Sequence, residues 1–329
     1  MSALTFQALR RMADGRFHSG EEVARSLGRS RATLNEALKR APELGVEVFS
    51  VPGKGYRLAQ PIEFLDAAEL RNALQGTRVE VEILDETDST STQLLARAAA
   101  GAPSGACLAA EWQSAGRGRR GRTWIAALGG SLTFSLLWRF ERGVGALSGL
   151  SLAVGLAVAR ALQAGGVDRA RVKWPNDVVV DFRKVAGILI ETSGEMLGPS
   201  VAVIGVGVNW RLPEDVVDSI DQAVTDVTSC AVQPPSRTEL LAGLLVELAR
   251  TLEAFERDGF APLREAWRAC HAYDGRRVRV MPGRESPYDA TVADVGSDGS
   301  LHVRTADGRL VALTAAEISL RPLEENARA

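Results

Sequence analysis

The stretch RVKWPNDVVVDFRKVAGILIE, Arg171–Glu191, sets short β-branched runs one after another with turn residues between them. Strands are read around Val172, over Val178–Val180 and over Val185–Glu191, and Val201–Asn209 supplies another. With little helix between them, such strands must pair antiparallel. Upstream the pattern alternates instead: strand Val79–Leu84, helix Ser91–Ala100, strand Ala106–Trp112, a Gly/Arg loop, strand Ser131–Phe140 and a long helix over roughly Ala146–Ala164. Together the two halves predict a mixed sheet with helices on it. Two amphipathic stretches, Arg237–Arg257 and Ala261–Cys270, close this central α/β domain.

Both flanks read differently. From Tyr273 onward, short runs (RRVRVM, ATVADV, LHVRT, LVALT) are punctuated by PG, SDG and ADG turns, which suits a small SH3-like β-barrel. At the other end, Phe6–Met12, Glu21–Leu27 and Ser30 to about Pro42 read as three short helices, the last two joined through Gly28. Ser30 is a good N-cap for the third. Leu34 and Leu38 repeat at i, i+4 toward a core, while Arg31, Thr33 and Asn35 point outward. Val46–Phe49, the VPGKG turn and YRL add a two-stranded wing with Lys54 at its tip. The expected chain is therefore α+β and multidomain: a winged helix-turn-helix over 1–63, a mixed-sheet domain over 64–271 and a β-barrel over 272–329.

Length and composition agree. At 329 residues, two or three domains are expected, and 46% hydrophobic with 24% charged residues is ordinary for a globular protein. The least polar window, between Arg142 and Arg160, contains Ser148, Ser151 and four glycines and reads as a buried helix; no membrane segment is expected. The opening MSALTFQALRRM has no secretory pattern, so a cytoplasmic location is expected. Cys107, Cys230 and Cys270 are odd in number and far apart, which supports neither a disulfide framework nor a zinc site. The net charge of −2 conceals ten basic against six acidic residues in the first sixty. That basic surplus beside a wing suits phosphate contacts, and Ser30, Arg31, Thr33, Asn35, Lys39 and Lys54 are the expected DNA-facing set. Only four of the 39 basic residues are lysines, Lys39, Lys54, Lys173 and Lys184, so each one marks a place where a compact point charge is wanted.

Chemistry concentrates in the central domain. GRGRRGRTW, Gly116–Trp124, formally satisfies GxGxxG and nearly the phosphate-loop pattern, but it runs on through Gly129 and Gly130 into a strand, not a helix. It reads as a mobile cationic loop, either folding over an anionic ligand or simply solvated or contacting DNA. In RVKWPNDVVV, the Pro175 turn gathers Lys173, Asn176 and Asp177, a set suited to phosphates and magnesium or to an ordinary hairpin turn. Glycines inside RKVAGILIE and VIGVGVNW, Gly187 among them, mark close backbone approach by a ligand, or bulges. His18, His271 and His302 fall in three different domains, and no GxSxG elbow occurs. Electrostatic chemistry with Arg, Lys and a metal remains, as in phosphoryl or nucleotidyl transfer.

GRGRRGR, KWPND and KVAGILIE in this order, behind a winged helix, resemble the biotin protein ligases. The resemblance narrows to the bifunctional class that ligates biotin and represses biotin synthesis, and it extends to FHSGEEVA, VPGKGY and EISLRP. It implies formation of biotinoyl-adenylate from biotin and MgATP, then transfer of biotin to a lysine of a biotin carboxyl carrier protein, the acceptor domain of a carboxylase. By resemblance Ser89, Thr90, Ser91, Gln113, Arg117, Gly118, Arg119 and Gly187 are biotin contacts, and Lys184 lies between the biotin carboxylate and the α-phosphate. Lys173 and Asn176 fall on the phosphate side, Asp177 on the magnesium, and Trp124, Asn209 and Arg122 on the adenylate, with Lys184, Arg119 and Lys173 catalytic. Where the family often has Asn, this chain has Ser91. The implied partners are operator DNA and a second copy in a ligand-dependent homodimer. Two alternatives stay open: a biotin-sensing repressor without catalysis, and a ligase whose winged helix is vestigial.

Overall fold

The computed structural model describes residues 3–282, 286–314 and 318–322. Three short helices, α1 (Ala3–Arg11), α2 (Gly20–Ser26) and α3 (Arg31–Leu38), pack around Phe6, Leu9, Met12, Leu34 and Leu38. Ser19 and Ser30 cap α2 and α3, the Ser30 hydroxyl accepting from the Thr33 amide at 3.1 Å. The third helix ends at Leu38, earlier than its apolar spacing suggested. The reason is local: Pro42 has no amide hydrogen to donate back to Leu38, and Ala41–Leu44 forms a 3₁₀ turn instead. Strands β1 (Val48–Val51) and β2 (Gly55–Leu58) make the antiparallel wing. Backbone bonds from His18 to Tyr56 and back, at 2.8 and 2.9 Å, fasten it to the turn before α2. Gly55 permits this, since its φ is +95° and a Cβ there would strike the His18 carbonyl.

After α4 (Ala67–Ala73) come β3 (Glu80–Thr87), α5 (Thr90–Ala99), β4 (Ala106–Gln113), a small hairpin of β5 (Gly116–Arg117) and β6 (Thr123–Trp124), β7 (Ser131–Phe140) and α6 (Leu150–Ala164). Then follow β8 (Arg171–Lys173), β9 (Asp177–Val180), β10 (Arg183–Gly194), β11 (Ser200–Asn209), α7 (Glu214–Asp218), α8 (Val227–Cys230), α9 (Arg237–Asp258) and α10 (Arg264–Cys270). Seven strands form one sheet in the order β3-β4-β7-β11-β10-β9-β8. Only β3 and β4 run parallel, because α5 crosses between them, and the consecutive strands pair antiparallel.

Helices α6 and α9 cover one face of this sheet over Phe134, Trp138, Ile204, Val206 and Leu245, and α5 covers part of the other over Leu108, Leu137 and Val203. Residues 144–164 are long and apolar enough to cross a membrane, yet α6 within them lies buried in this core. The last described strands, β12 (Arg277–Pro282), β13 (Tyr288–Val295), β14 (Leu301–Thr305), β15 (Leu310–Leu313) and β16 (Ile318–Pro322), form an antiparallel sheet in the order β15-β14-β13-β12-β16.

A buried ion pair lies where the winged helix meets the central domain. Arg237 and Glu111 are both fully buried and meet at 2.8 Å. Arg237 also donates to the Ser131 carbonyl, and Glu111 accepts from the Leu65 amide. From the winged helix, Arg10 reaches Asp85 at 2.5 Å and Glu111 at 3.7 Å, and it lies over the Phe64 ring.

Candidate functional site

Strand register builds the site. On the α5 face of the sheet, Thr133 stands opposite Gly207, Gly207 opposite Gly187, Gly187 opposite Asp177, and Asp177 opposite Lys173. One row of side chains thus crosses five strands, running from small residues at one end to charges at the other. The next row is Ser135, Gly205 and Leu189. With two successive positions bare in the middle of the sheet, a trough is left along it.

The hairpin β5–β6 lies over this trough. Arg117 pairs with Thr123 and Gly116 with Trp124, and the Gly118 amide donates to the Arg122 carbonyl at 2.7 Å. The GRGRRGRTW segment thus forms a small ribbon whose chain reverses through the left-handed Arg120. A Cβ at Gly207 would collide with the Trp124 ring, and one at Gly187 would strike the tip of Lys184 and crowd the ring, so the indole rests against the glycine backbone. Its Nε1 is buried without a hydrogen-bond partner, an unmet donor in the wall of the trough.

The resulting cavity, about 450 Å³ including its open mouth, is lined by Ser89, Thr90, Ser91, Gln113, Arg117, Gly118, Arg119, Trp124, Asn176, Lys184 and Gly187. Eleven residues singled out from four separate sequence segments therefore share one space. At the closed end, the N-terminal turn of α5 brings hydroxyls. Thr90 and Ser91 each exchange a hydrogen bond with the Ser135 hydroxyl, at 2.8 and 3.0 Å. The Thr90 amide donates to Gln113 Oε1 at 2.7 Å, which orients the Gln113 amide group. A neutral polar ligand with both donors and acceptors suits this end.

The other end is cationic. Arg119 donates to Asn176 Oδ1 at 2.8 Å, and Asn176 in turn donates to the Ile188 carbonyl at 2.7 Å, which joins the hairpin to the KWPND turn. Burial pushes the Arg119 guanidinium pKa down; nearby Asp177 opposes this, while the Arg120 and Arg122 charges add to it. A guanidinium does not deprotonate, so an anion brought beside it would be favoured. Lys184 Nζ sits 2.7 Å from Asp177 Oδ1 and 5.7 Å from the Trp124 ring centre, and Lys173 Nζ lies 3.9 Å from Asp177 Oδ2. Two lysines thus share one carboxylate; Lys184 lines the cavity, whereas Lys173 and Asp177 stand behind it, outside the lining.

Two expected contacts fall elsewhere. Arg122 is exposed and outside the cavity lining, at the end of the tight turn before β6. Asn209 is buried, and its amide donates to the carbonyls of Lys184 and Thr225 at 3.2 and 3.0 Å. It braces the strand that carries Lys184. Conversely, Thr133 and Ser135 belong to the trough and were not singled out, although polar residues alternating at 131, 133 and 135 in an apolar strand are a legible sign.

On the winged helix, Arg31, Thr33, Lys39 and Lys54 are exposed and Asn35 is half-buried, accepting from the Tyr56 hydroxyl at 3.3 Å. The Ser30 hydroxyl serves the helix cap, and Lys39 is paired with Glu36 at 2.6 Å. No cluster of three or more His, Cys, Asp or Glu able to hold a metal occurs among the described residues.

The sequence model of the biotin/lipoate A/B protein ligase family matches residues 84–209, and that of a helix-turn-helix domain matches residues 4–57. The bifunctional ligase/repressor BirA of Escherichia coli strain K12 is 38% identical over 314 residues, covering 95% of this chain and 96% of that protein. The biotin–[acetyl-CoA-carboxylase] ligase of Paracoccus denitrificans is 34% identical over 244 residues, covering 72% of this chain and 98% of that protein. Among solved structures, the biotin protein ligase from Aquifex aeolicus in complex with biotin and ATP aligns with a TM-score of 0.63 and 27% identity, over 74% of this chain and 99% of that one.

Proposed function

The chain belongs to the family of bifunctional biotin ligase/repressors, and from that premise we propose that it makes biotinoyl-5'-AMP from biotin and MgATP, transfers the biotin to a carrier-protein lysine, and binds operator DNA through its winged helix. The observation that carries this reading is the convergence of Arg119, Trp124, Asn176 and Lys184 on one cavity with a hydroxyl-rich end and a cationic end.

In this reading the ureido head of biotin takes the polar end, against Ser89, Thr90, Ser91 and Gln113, and the apolar rings lie along the bare glycine backbone under Trp124. The carboxylate then reaches toward Lys184 and Arg119. In the first step a carboxylate oxygen attacks the α-phosphorus of ATP, the bond to the bridging oxygen breaks, and pyrophosphate leaves. Negative charge gathers at that phosphorus, and the cations held around Asp177 stabilise it more in the transition state than in the ground state. In the second step the carrier amine attacks the acyl carbon of the mixed anhydride and AMP departs. Between the steps the β5–β6 ribbon shields the anhydride from water.

A magnesium ion fits as a passenger of the nucleotide, needing only one or two protein carboxylates beside phosphate oxygens. Asp177 would hold it, and it would neutralise phosphate charge. The residue roles, the boundaries at 63/64 and 271/272, an SH3-like form for the last sheet, a cytoplasmic location and a ligand-dependent dimer belong to the same proposal. The paired Lys184 and Asp177 favour an enzyme over a sensor, which has no need of that arrangement. Incubating a carboxylase carrier fragment with the protein, biotin and MgATP, then blotting with streptavidin, tests the ligase half. No ATP-dependent signal would refute it.

A further inference from the structure

The ribbon over the cavity is held at two points on β10, and the second lies outside the set of residues assigned above. Near the cationic end, Trp124 rests on Gly187. Four residues along the same strand and on the same face, Glu191 receives both terminal nitrogens of Arg117, at 3.0 and 2.8 Å. A two-bond fork between guanidinium and carboxylate fixes orientation as well as distance. Glu191 is about three-quarters buried while Arg117 is nearly half exposed, so the two-bond geometry, more than burial, sets this pair apart from an ordinary surface bridge.

Glu191 stands opposite Val203 on β11, whereas β9 stops pairing with β10 at Gly187. On its outer side this half of β10 has no paired strand among the described residues, and Arg117 is what reaches it. The ribbon itself is only a two-residue ladder, and an isolated hairpin of that size is not stable alone. Its order must come from what it is anchored to.

We infer that Glu191 is a positioning residue: its carboxylate latches Arg117 and thereby keeps the β5–β6 ribbon closed over the cavity, which sets how long a bound adenylate is retained. The functional half of this inference rests on the ligase reading above; the latch itself does not. Glu191 touches neither the hydroxyl end of the cavity nor Lys184, so it acts through Arg117 alone. Loss of the carboxylate opens the lid while leaving the charges around Asp177 in place. Retention then falls and the rate of adenylate formation changes little.

Two measurements on the full-length chain separate these levels. Amide hydrogen exchange on E191Q, without ligand, should show residues 116–124 exchanging at least tenfold faster while β11 keeps its protection. Unchanged exchange in the ribbon would overturn the latch whether or not the protein is a ligase. In the second measurement, labelled adenylate is formed in place and its escape is followed. E191Q should release it about tenfold faster than wild type, with single-turnover formation within threefold. R117A should release it at least as fast, and release from R117A combined with E191Q should be no faster than from R117A alone. Multiplying losses in the double variant, or wild-type retention in E191Q, would overturn the inference. Wild-type protein that makes no adenylate would refute the ligase reading instead, leaving the exchange result to decide the latch.

Discussion

A Cβ on Gly207 would stand closer than 3 Å to three indole atoms of Trp124. The tryptophan can occupy that position only because β11 is bare there; Gly187 across the ladder is bare too, with the Lys184 tip as well as the ring close to it. Gly207→Ala must therefore displace a ring, not the tip of a flexible side chain. The strand backbone can accept alanine, so the fold should survive. We expect biotin affinity to fall at least tenfold, measured by the change in tryptophan fluorescence on titration, with a melting temperature within a few degrees of wild type. Wild-type affinity would mean that Trp124 does not wall the ligand.

Lys184 and Asp177 give a second test. Lys184→Ala removes the charge nearest the expected reacting carboxylate and should lower adenylate formation at least tenfold, about 1.4 kcal/mol or more of transition-state stabilisation. Asp177→Asn should slow the same step and raise the magnesium concentration needed for half-maximal rate, which Lys184→Ala should not do. Single-turnover rates as a function of magnesium distinguish the two. Equal magnesium dependence in both variants would remove Asp177 from the metal.

How far the site could be read from sequence depended on which residues were local to one another. Gly116–Trp124 and Lys173–Asp177 were legible because their types are unusual within a few positions. The row Thr133, Gly207, Gly187, Asp177 and Lys173 was not, because alternation tells which face a residue takes but not which residue stands opposite it. Register comes from long-range pairing, and it alone brings Ser135 beneath Thr90. The same gap explains Asn209. The resemblance placed it at the adenylate, yet its amide donates to the Lys184 and Thr225 carbonyls. The helix-turn-helix was read readily, since caps, i, i+4 apolar pairs and a glycine turn are all short-range signals. The ion pair Arg237–Glu111 spans 126 positions and left no sequence trace.

His271 supplies a test of stability against pH. Burial holds its imidazole pKa down to about 3, against an ordinary value of 6.5, with its ring stacked on Trp267 at 4.5 Å. Above pH 6.5 the imidazole is neutral both folded and unfolded, and its contribution does not vary. As pH falls below 6.5 the unfolded chain takes up a proton that the folded chain refuses until about pH 3, so stability declines through that window. Between pH 7 and pH 5 the loss is roughly 2 kcal/mol. His271→Phe keeps a ring on Trp267 and removes the proton site, so its urea midpoint should vary less over this range than that of wild type. Parallel curves would show that other groups govern the acid limb.

DNA binding can be tested through Arg31, at the first position of α3 and exposed. One winged helix with this small basic surplus offers few phosphate contacts, too few for tight binding at physiological salt, so two copies on two half-sites are expected. Each phosphate contact contributes close to one unit to the slope of log K against log salt. If Arg31 reaches a phosphate, Arg31→Ala in a dimer removes two such contacts, lowering the slope by about two and weakening binding by at least tenfold at moderate salt. If it reads a base edge instead, affinity falls with the slope nearly unchanged and discrimination between sites relaxes. Gel shifts on the promoter region of this organism's biotin genes at several salt concentrations, with and without biotin and ATP, separate the two outcomes. Sedimentation under the same conditions reports whether adenylate drives pairing. Undiminished affinity in Arg31→Ala would mean that α3 is not the reading helix, and no shifted band for the wild type would leave ligation as the chain's one supported activity.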